Sequence, residues 1–294
     1  MRHLLFLFIL LYSIIFFSCT KDVEINEPEL VKDESYLDSE GLSLWNSDSL
    51  NIVHWNIGHF SKGLNTDSIL NSNEINSFII NYDSLIFSKS PEIITVNEYS
   101  TILGHDNGYE INSRDVLFRE YPYAYIGKKN NYSCNAIFSN IQLNNIAYND
   151  FICNSDAILS IPSYINANDY YYISSDFIWK NKKVYMINAH LAYNEDDIDA
   201  NVNQILELLS LFETANYVIM CGDWNATKES YQLFQQKGYE ILNCGCYGEF
   251  ITHPQSMKPL DNIVAKGLSI SNVNIIETNL SDHYPIFCTL RLKD

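Results

Sequence analysis

Gly222-Asp223-Trp224-Asn225-Ala226, which follows the apolar run from Tyr217 to Cys221, is the stretch of this sequence that most narrows its fold. The run is short and apolar, which predicts a buried strand. An acid and an amide come directly after it. Because open α/β sheets carry their ligand sites at strand ends, Asp223 and Asn225 are expected to face such a site.

Polar residues follow other apolar runs in the same way. The segments are His54-Trp55-Asn56-Ile57, Val96-Asn97-Glu98, Asn188-Ala189-His190-Leu191, Leu260-Asp261-Asn262-Ile263 and Ser281-Asp282-His283-Tyr284-Pro285. Taken singly, an Asn or Asp at a strand end is most often a turn former or a helix cap. Arriving together, these acids, amides and histidines predict one pocket.

Apolar periodicity predicts strands and helices from residue 50 to the end of the chain. The predicted strands cover 51–57, 92–97, 136–139, 183–189, 217–221, 262–265 and 285–290, and the predicted helices cover 73–88 and 197–212. Strands that alternate with helices, together with stretches of strands alone, indicate sheets with helices outside them. No internal linker interrupts this region, so residues 50–294 are predicted to form one domain.

The first 18 residues are typical of an export signal. The apolar run from Leu4 to Phe17 follows a short positive start and is shorter than the roughly 20 residues of a membrane-spanning helix. It ends in Phe17-Ser18-Cys19, which resembles a bacterial lipobox, where the Cys receives the lipid. We predict a lipoprotein signal peptide over 1–18 and lipidation of Cys19; an ordinary signal peptide is the alternative.

Residues 19–49 are acidic and polar with no sustained period, and they are predicted to be a tether between lipid and domain. The expected location is therefore the bacterial cell envelope. The chain would be lipid-anchored in the outer membrane through Cys19, on its periplasmic side or exposed at the surface.

Composition indicates a globular chain and limits its partners. Of 294 residues 47% are hydrophobic, and the formal net charge is −18. Tight binding of duplex nucleic acid needs Lys and Arg to displace counterions, so this charge disfavours a nucleic-acid partner without excluding one. Six cysteines follow Cys19, with no Cys/His spacing of a zinc site, and are expected to be structural. They are Cys134, Cys153, Cys221, Cys244, Cys246 and Cys288.

The residue types at the strand ends also select a chemistry. Carboxylates and amides are hard oxygen ligands that suit Mg²⁺, with Mn²⁺ or Ca²⁺ as alternatives, rather than zinc. Histidines beside such ligands indicate proton transfer and stabilisation of a phosphoryl oxygen. Together they favour a metal-dependent hydrolase of phosphate esters.

These motifs, with Asn135-Ala136-Ile137-Phe138-Ser139, resemble in order those of the endonuclease/exonuclease/phosphatase superfamily, from about Asn51 to the end of the chain. The resemblance implies a four-layer α/β sandwich, with two mixed β-sheets packed face to face and helices outside. It makes residues 50–294 a catalytic domain.

The resemblance also implies roles for single residues. Glu98 would be the principal metal ligand, assisted by Asn56, and Asp282 a further metal or water ligand. Asp223 would align the attacking water. His283 would act as general base or as donor to the phosphoryl oxygens, and Asp261 would orient it.

Two further residues would act on the phosphate. Asn225 would hold a phosphate oxygen, and His190 would contact the phosphate and protonate the leaving oxygen.

Two positions depart from the family pattern. Gly58 stands where some members carry an Asp, which puts a second metal in doubt, and Cys134 stands where pancreatic deoxyribonuclease has a Glu. His54 and His59 are expected to be a strand-face and a loop residue without a role in the chemistry. A polar loop is the expected setting of His253.

We expect a monomeric phosphodiesterase whose substrate is a small molecule or a lipid headgroup, because acidity disfavours long polyanions and a lipid anchor places the site at a membrane. One alternative is an exported nuclease that scavenges nucleic acid. The other is a catalytically inactive surface binding lipoprotein.

Overall fold

A computed structural model describes residues 44–60, 72–106, 109–115, 117–127, 134–153, 170–193, 198–245 and 247–293. The described residues belong to one compact unit. The predicted signal peptide, Cys19 and most of the predicted tether lie outside the described residues, as does Cys246.

Strands outnumber helices in the described part of the chain. The strands are β1 (Leu44–Trp45), β2 (Leu50–Asn56), β3 (Ile93–Tyr99), β4 (Ile102–Asp106), β5 (Tyr109–Asn112), β6 (Tyr123–Ile126), β7 (Cys134–Ser139), β8 (Asn144–Asp150), β9 (Tyr171–Trp179), β10 (Lys182–His190), β11 (Val218–Asp223), β12 (Glu240–Ile241), β13 (Asp261–Lys266), β14 (Leu268–Ile275) and β15 (Ile286–Leu292). The helices are α1 (Ser72–Phe87), α2 (Ile198–Leu211) and α3 (Lys228–Gln236), with short 3-10 turns at Gly58–Phe60 and Ser113–Asp115.

The strands form two large mixed sheets and one small hairpin. The first sheet has the order β1-β9-β10-β11-β13-β12, with β8 also paired to β9, and the second has the order β14-β15-β2-β3-β7-β6. Within them β10 and β11 run parallel, as do β2 and β3, while most other neighbours are antiparallel. Strands β4 and β5 pair only with each other among the described residues.

Three apolar clusters define four layers. One cluster joins the facing sides of the two sheets, through residues such as Ile52 and Ile263. A second packs α1 against the outer side of the second sheet, with Tyr82 and Ile86 from the helix. The third packs α2 and α3 against the outer side of the first sheet. The predicted four-layer α/β sandwich, two mixed sheets face to face with helices outside, is therefore confirmed.

Every predicted strand and helix is present, with ends that differ by a few residues. The predicted elements do not include β1, β4, β5, β6, β8, β12, β14 or α3. Of these, β8 and β14 lie at sheet edges. One difference concerns the start of the fold. Leu44–Trp45, which fall within the predicted tether, pair in parallel with Ile178 and Trp179 of β9.

Of the described cysteines, Cys134, Cys221 and Cys288 are buried, and Cys153 and Cys244 are partly buried. Among the described residues, no helix has the length and apolar character needed to cross a membrane.

Candidate active site

One end of the space between the sheets is lined by polar side chains, which strand alternation directs inward. On β2, Leu50 and Ile52 face the other sheet within the shared apolar cluster. Side chains two residues apart share a face, so His54 and Asn56 point into the same space. Asn56 meets Asp223 of the first sheet, and His54 lies against Asp261. The aliphatic layer thus gives way to polar side chains where the predicted site residues lie.

The carboxylate of Asp223 is the centre of this polar end. Its Oδ2 accepts a hydrogen bond from Asn56 Nδ2 at 2.9 Å. The Nε2 atoms of His190 and His283 lie 3.7 and 3.8 Å from the same oxygen. Its Oδ1 accepts from the backbone N–H of Asn225 at 3.0 Å. One buried acid therefore faces both histidines that the sequence assigned to catalysis.

Gly222 explains how His190 comes to lie beside Asp223. A Cβ on Gly222 would stand 2.1 Å from the carbonyl oxygen of Ala189, so only glycine lets β10 and β11 approach this closely. The two strands remain in parallel register to their last pair, in which His190 lies opposite Asp223. The glycine of the Gly-Asp-Trp-Asn-Ala motif is thus a packing requirement of the site.

Asn56 bridges two carboxylates from different sheets. Its Nδ2 donates to Glu98 Oε1 at 3.2 Å as well as to Asp223. Its amide oxygen accepts from the N–H of Gly58 at 3.0 Å, which fixes which end of the amide faces the acids. In this arrangement Asn56 positions the two acids, and its assignment as a metal ligand stays a prediction.

Glu98 has an unusual backbone conformation. Its φ is +52°, and the register between β3 and β7 shifts between Val96 and Tyr99. A bulge of this kind re-aims a side chain at the end of a strand. The carboxylate meets His59, whose Nε2 lies 3.0 Å from Glu98 Oε2. Burial raises the pKa of Glu98, but the hydrogen bond from His59 and the charges of His190 and His59 outweigh it and lower that pKa to about 2.

His283 and Asp261 form the closest histidine–acid pair of the site. The Nδ1 of His283 donates to Asp261 Oδ2 at 2.7 Å, and the indole N–H of Trp55 holds the His283 carbonyl at 3.0 Å. Burial lowers the pKa of a histidine, but the Asp261 and Asp223 charges and this hydrogen bond raise the pKa of His283 to about 10. The pKa of Asp261 is lowered in turn, despite burial, by His283 and His54. The imidazole of His283 is therefore protonated at neutral pH.

Asp282 lies against the turn that follows β2. Gly58 has a φ of +55°, and a Cβ there would stand 2.8 Å from Asp282 Oδ1. Ser281 Oγ donates to the carbonyl of Asn56 at 2.8 Å, which fastens the last motif to the first. The aspartate that some members of the superfamily carry at the position of Gly58 would collide with Asp282 in this conformation.

Buried amides connect the sheets beneath the site. Asn97 Nδ2 donates to the side-chain oxygens of Asn135 at 2.7 Å and Asn188 at 3.2 Å. Asn97 Oδ1 accepts from the backbone N–H of Asp223 at 2.7 Å. These amides fix the backbone beneath the central acid.

Asn225 completes the wall near His190. Its Nδ2 lies 3.3 Å from His190 Nε2 and donates to the carbonyl of Leu191 at 3.1 Å. Its φ is +46°, a conformation that Asn tolerates better than most residues.

The structure brings all eight predicted site residues to the same end of the sandwich. They are Asn56, Glu98, His190, Asp223, Asn225, Asp261, Asp282 and His283. Each of them is linked to another member of the set directly or, for Asp282, through Ser281 and Gly58.

Sequence reasoning missed four neighbours of this set. His59 contacts Glu98, and His54 lies 3.4 Å from Asp261. His253 packs edge-on against His283 with ring centroids 4.7 Å apart, and Tyr170 packs edge-on against His190 at 5.7 Å. Strand alternation was a signal for His54, which is two residues before Asn56; for the other three no local pattern exists.

The donor set fits a hard divalent cation. Ligand atoms of Asp223, Asp261 and His283 all lie within 4.8 Å of one another, and the Glu98 carboxylate lies across Asn56 from Asp223. Carboxylate oxygens this close together are suitable ligands for Mg²⁺, Mn²⁺ or Ca²⁺. The sequence-based assignment of the ion to Glu98, assisted by Asn56, and Asp282 stays a prediction.

Comparisons with known proteins give a fold and no closer relative. No protein-family model matches the sequence, and no curated protein matches it either. The structure is similar to that of the human Nocturnin catalytic domain with a bound sulfate anion, with a TM-score of 0.58 and 17% identity over 84% of this chain and 95% of that one.

Two further structures have the same architecture. Zebrafish (D. rerio) TDP2 complexed with a single-strand DNA product matches with a TM-score of 0.57 and 14% identity, over 83% of this chain and all (100%) of that one. An endonuclease/exonuclease/phosphatase from Bacteroides vulgatus matches with a TM-score of 0.57 and 13% identity, over 84% of this chain and 100% of that one. These likenesses show the fold.

Proposed function

We propose that this chain, which has the endonuclease/exonuclease/phosphatase fold, is a divalent-cation-dependent hydrolase of phosphate esters. The observation that carries the proposal is the surrounding of Asp223 Oδ2. Asn56 lies at 2.9 Å from this one oxygen, and His190 and His283 lie at 3.7 and 3.8 Å. An amide and two imidazoles thus converge on one oxygen of a buried acid, an arrangement suited to acid–base chemistry on a phosphate ester.

His283 acts as the proton-bearing donor of the site. Its pKa of about 10 keeps Nε2 protonated, while Nδ1 is held by Asp261. Nε2 is too far from Asp223 Oδ2, at 3.8 Å, for a direct hydrogen bond. This geometry supports the second of the two roles expected for His283, donation to a phosphoryl oxygen, over that of general base.

Asp223 is the acid best placed to align water. Its backbone is fixed by Asn97 and its Oδ1 by Asn225, which leaves Oδ2 as the oxygen that faces the histidines. An aligned carboxylate accepts a hydrogen bond from water and orients the oxygen for in-line attack on phosphorus. The fixed position of Asp223 thus supports its predicted role.

His190 and Asn225 form a second polar pair, on the first sheet. They lie 3.3 Å apart, next to the central acid. We assign them to the phosphate and to the leaving oxygen, which His190 protonates as it departs.

The cation belongs beside Glu98 and Asp282. When bound there it supplies charge neutralisation and Lewis-acid polarisation of the phosphoryl group. The low pKa of Glu98, about 2, means that its carboxylate is already ionised for a cation at neutral pH.

The substrate we favour is a phosphodiester of a small molecule or lipid headgroup. A chain with a net charge of −18 repels long polyanions except where basic residues gather. An envelope lipoprotein anchored through Cys19, with the catalytic domain beyond its tether, would work at a membrane. Both arguments favour a compact phosphodiester over a polymer.

A nuclease is the second candidate. D. rerio TDP2, which has the same fold, is described in complex with a single-strand DNA product. A nuclease on this chain would bind DNA in a strongly salt-dependent manner, since phosphate contacts release counterions.

The test is hydrolysis by the full-length chain of a substrate panel, with Mg²⁺ or Mn²⁺ and with chelator. The panel contains a generic phosphodiester, a phosphomonoester, sphingomyelin, a phosphoinositide and single- and double-stranded DNA. Cation-dependent turnover of the small or lipid phosphodiesters supports the proposal. Salt-sensitive turnover of DNA alone would replace it with the nuclease.

Two variants make that panel decisive. Asp223→Asn removes the central charge, and Glu213→Gln removes an exposed acid that pairs with Lys237 on the surface. Turnover lost in the first and kept in the second ties the reaction to this site. A folded chain without turnover of any ester, with or without cation, would favour the inactive binding lipoprotein.

A further inference from the structure

The side chain of His54 is a buried titratable group that the proposed mechanism leaves unused. It is fully buried, on β2 between β15 and β3. Its Nε2 lies 3.4 Å from Asp261 Oδ1. Among the described residues, neither of these two buried atoms has a hydrogen-bond partner, and at 3.4 Å each faces the other as its candidate partner.

Asp261 needs a partner on this side because it is buried as well. His283 satisfies its Oδ2 at 2.7 Å, so Oδ1 is the oxygen that burial leaves in need of a donor. A buried carboxylate oxygen without a donor is strongly destabilising. The carboxylate of Asp261 is thus placed between two imidazoles, with His54 behind it and His283 in front.

Thr95 determines how the His54 ring is held. Its Oγ1 lies 3.0 Å from His54 Nδ1 and 3.3 Å from the carbonyl of Val53. If the hydroxyl donates to Nδ1, the neutral ring carries its proton on Nε2. This tautomer directs an N–H at Asp261 Oδ1, whereas the other neutral tautomer would turn a lone pair towards the carboxylate, which is unfavourable.

We infer that His54 is a positioning residue that acts through Asp261 on His283. The chain of contacts runs from Thr95 to His54, to Asp261, to His283, and joins β3 and β2 to β13 and the last motif. His54 holds the Asp261 carboxylate in the rotamer in which Oδ2 meets His283 Nδ1. Without that donor the carboxylate rotates, and His283 Nε2 loses its alignment with the phosphoryl group.

The inference rests on the proposed function for its kinetic consequences and on geometry alone for its structural ones. Substitution by Asn and by Gln tests the two ring nitrogens of His54 one at a time. The Asn side-chain amide occupies the position of Nδ1, and the Gln side-chain amide occupies the position of Nε2. His54→Asn keeps a polar group towards Thr95 and removes the donor to Asp261. His54→Gln places an N–H where Nε2 stood.

The kinetic experiment compares these variants on the substrate that the panel identifies. We expect His54→Asn to lower kcat about 10- to 100-fold, as loss of a supporting hydrogen bond does, with little change in KM. His54→Gln should recover kcat to within about threefold of that of the unmodified chain, because its amide N–H replaces the donor to Asp261. Equal kcat values for the two variants would overturn the inference.

The structural experiment needs no activity and so separates this inference from the proposed function. Proton NMR of the full-length chain should show a downfield resonance from the short Nδ1–H contact between His283 and Asp261, assigned by its loss in His283→Gln. It should shift or broaden in His54→Asn and return in His54→Gln. Thr95→Val, which keeps the core volume, should shift it in the same direction. A resonance unaffected by His54→Asn and by Thr95→Val would show that His54 does not position Asp261.

Discussion

Asn56 donates its Nδ2 to Asp223 Oδ2 at 2.9 Å, although 167 residues separate the two in the chain. The same nitrogen reaches Glu98, so one amide sets the spacing between the candidate metal ligand and the acid that aligns water. The contact crosses from the second sheet to the first. The site is therefore assembled by the packing of the two sheets, and the predictions below test the parts that each sheet contributes.

Glu98→Ala and His283→Ala are each expected to abolish hydrolysis while the chain stays folded. The first removes the acid that would hold the cation, and the second removes the protonated donor. Loss of one acid–base group lowers rates by about 10²- to 10⁴-fold. The measurement is kcat/KM with circular dichroism of each variant, and retention of activity in either would contradict the assignment of that residue.

Cation binding should appear as a change in stability. Because a ligand of the folded state alone raises the free energy of unfolding, Mg²⁺ or Mn²⁺ should raise the Tm of the purified chain. Glu98→Gln should remove most of this rise, and Glu213→Gln, which alters an exposed acid, should leave it unchanged. A rise of the same size in Glu98→Gln would place the cation elsewhere.

Gly58→Ala should disturb the site more than an equivalent change at Gly238. Both glycines have positive φ, +55° and +79°, but a Cβ at Gly58 meets Asp282 Oδ1 at 2.8 Å and a Cβ at Gly238 meets nothing within 4 Å. Backbone strain alone should lower the free energy of unfolding by about 1 kcal/mol in Gly238→Ala. Urea unfolding should show a larger loss of unfolding free energy in Gly58→Ala than in Gly238→Ala. Turnover should fall in Gly58→Ala and stay unchanged in Gly238→Ala. Equal losses would mean that the Asp282 contact is not tight.

The His283–Asp261 pair predicts a pH-dependent stability in the cation-free chain. The pKa of His283 is raised from 6.5 to about 10 on folding. Its stabilising contribution is therefore fully present below about pH 6.5 and is lost as pH rises through about 10. Urea unfolding in chelator should show the stability difference between the unmodified chain and His283→Gln shrinking from pH 6 to pH 10.

Titratable groups that both chains share contribute equally to the two free energies of unfolding, so they cancel in the difference. A difference that stays constant, or grows, between those pH values would mean that His283 is not held protonated by Asp261 in the folded chain.

Local sequence predicted the central strands and the residues of the candidate site. Short apolar runs gave the central strands, as in Val218–Asp223, because alternation and β-branched content report burial on a pleated surface. Polar residues at the ends of those runs predicted that Glu98, Asp223 and His283 belong to one site. The order of these motifs resembles that of a known superfamily, and the resemblance implied two mixed sheets with helices outside.

Only the tertiary structure decided which side chains meet. That Asp261 lies between His54 and His283, and that His59 contacts Glu98, follow from the register between strands and from the packing of two sheets. The requirement for glycine at position 58 likewise depends on a carboxylate more than 200 residues away in the chain. Sequence patterns report the periodicity of one segment, whereas contacts across sheets depend on distances that no single segment contains.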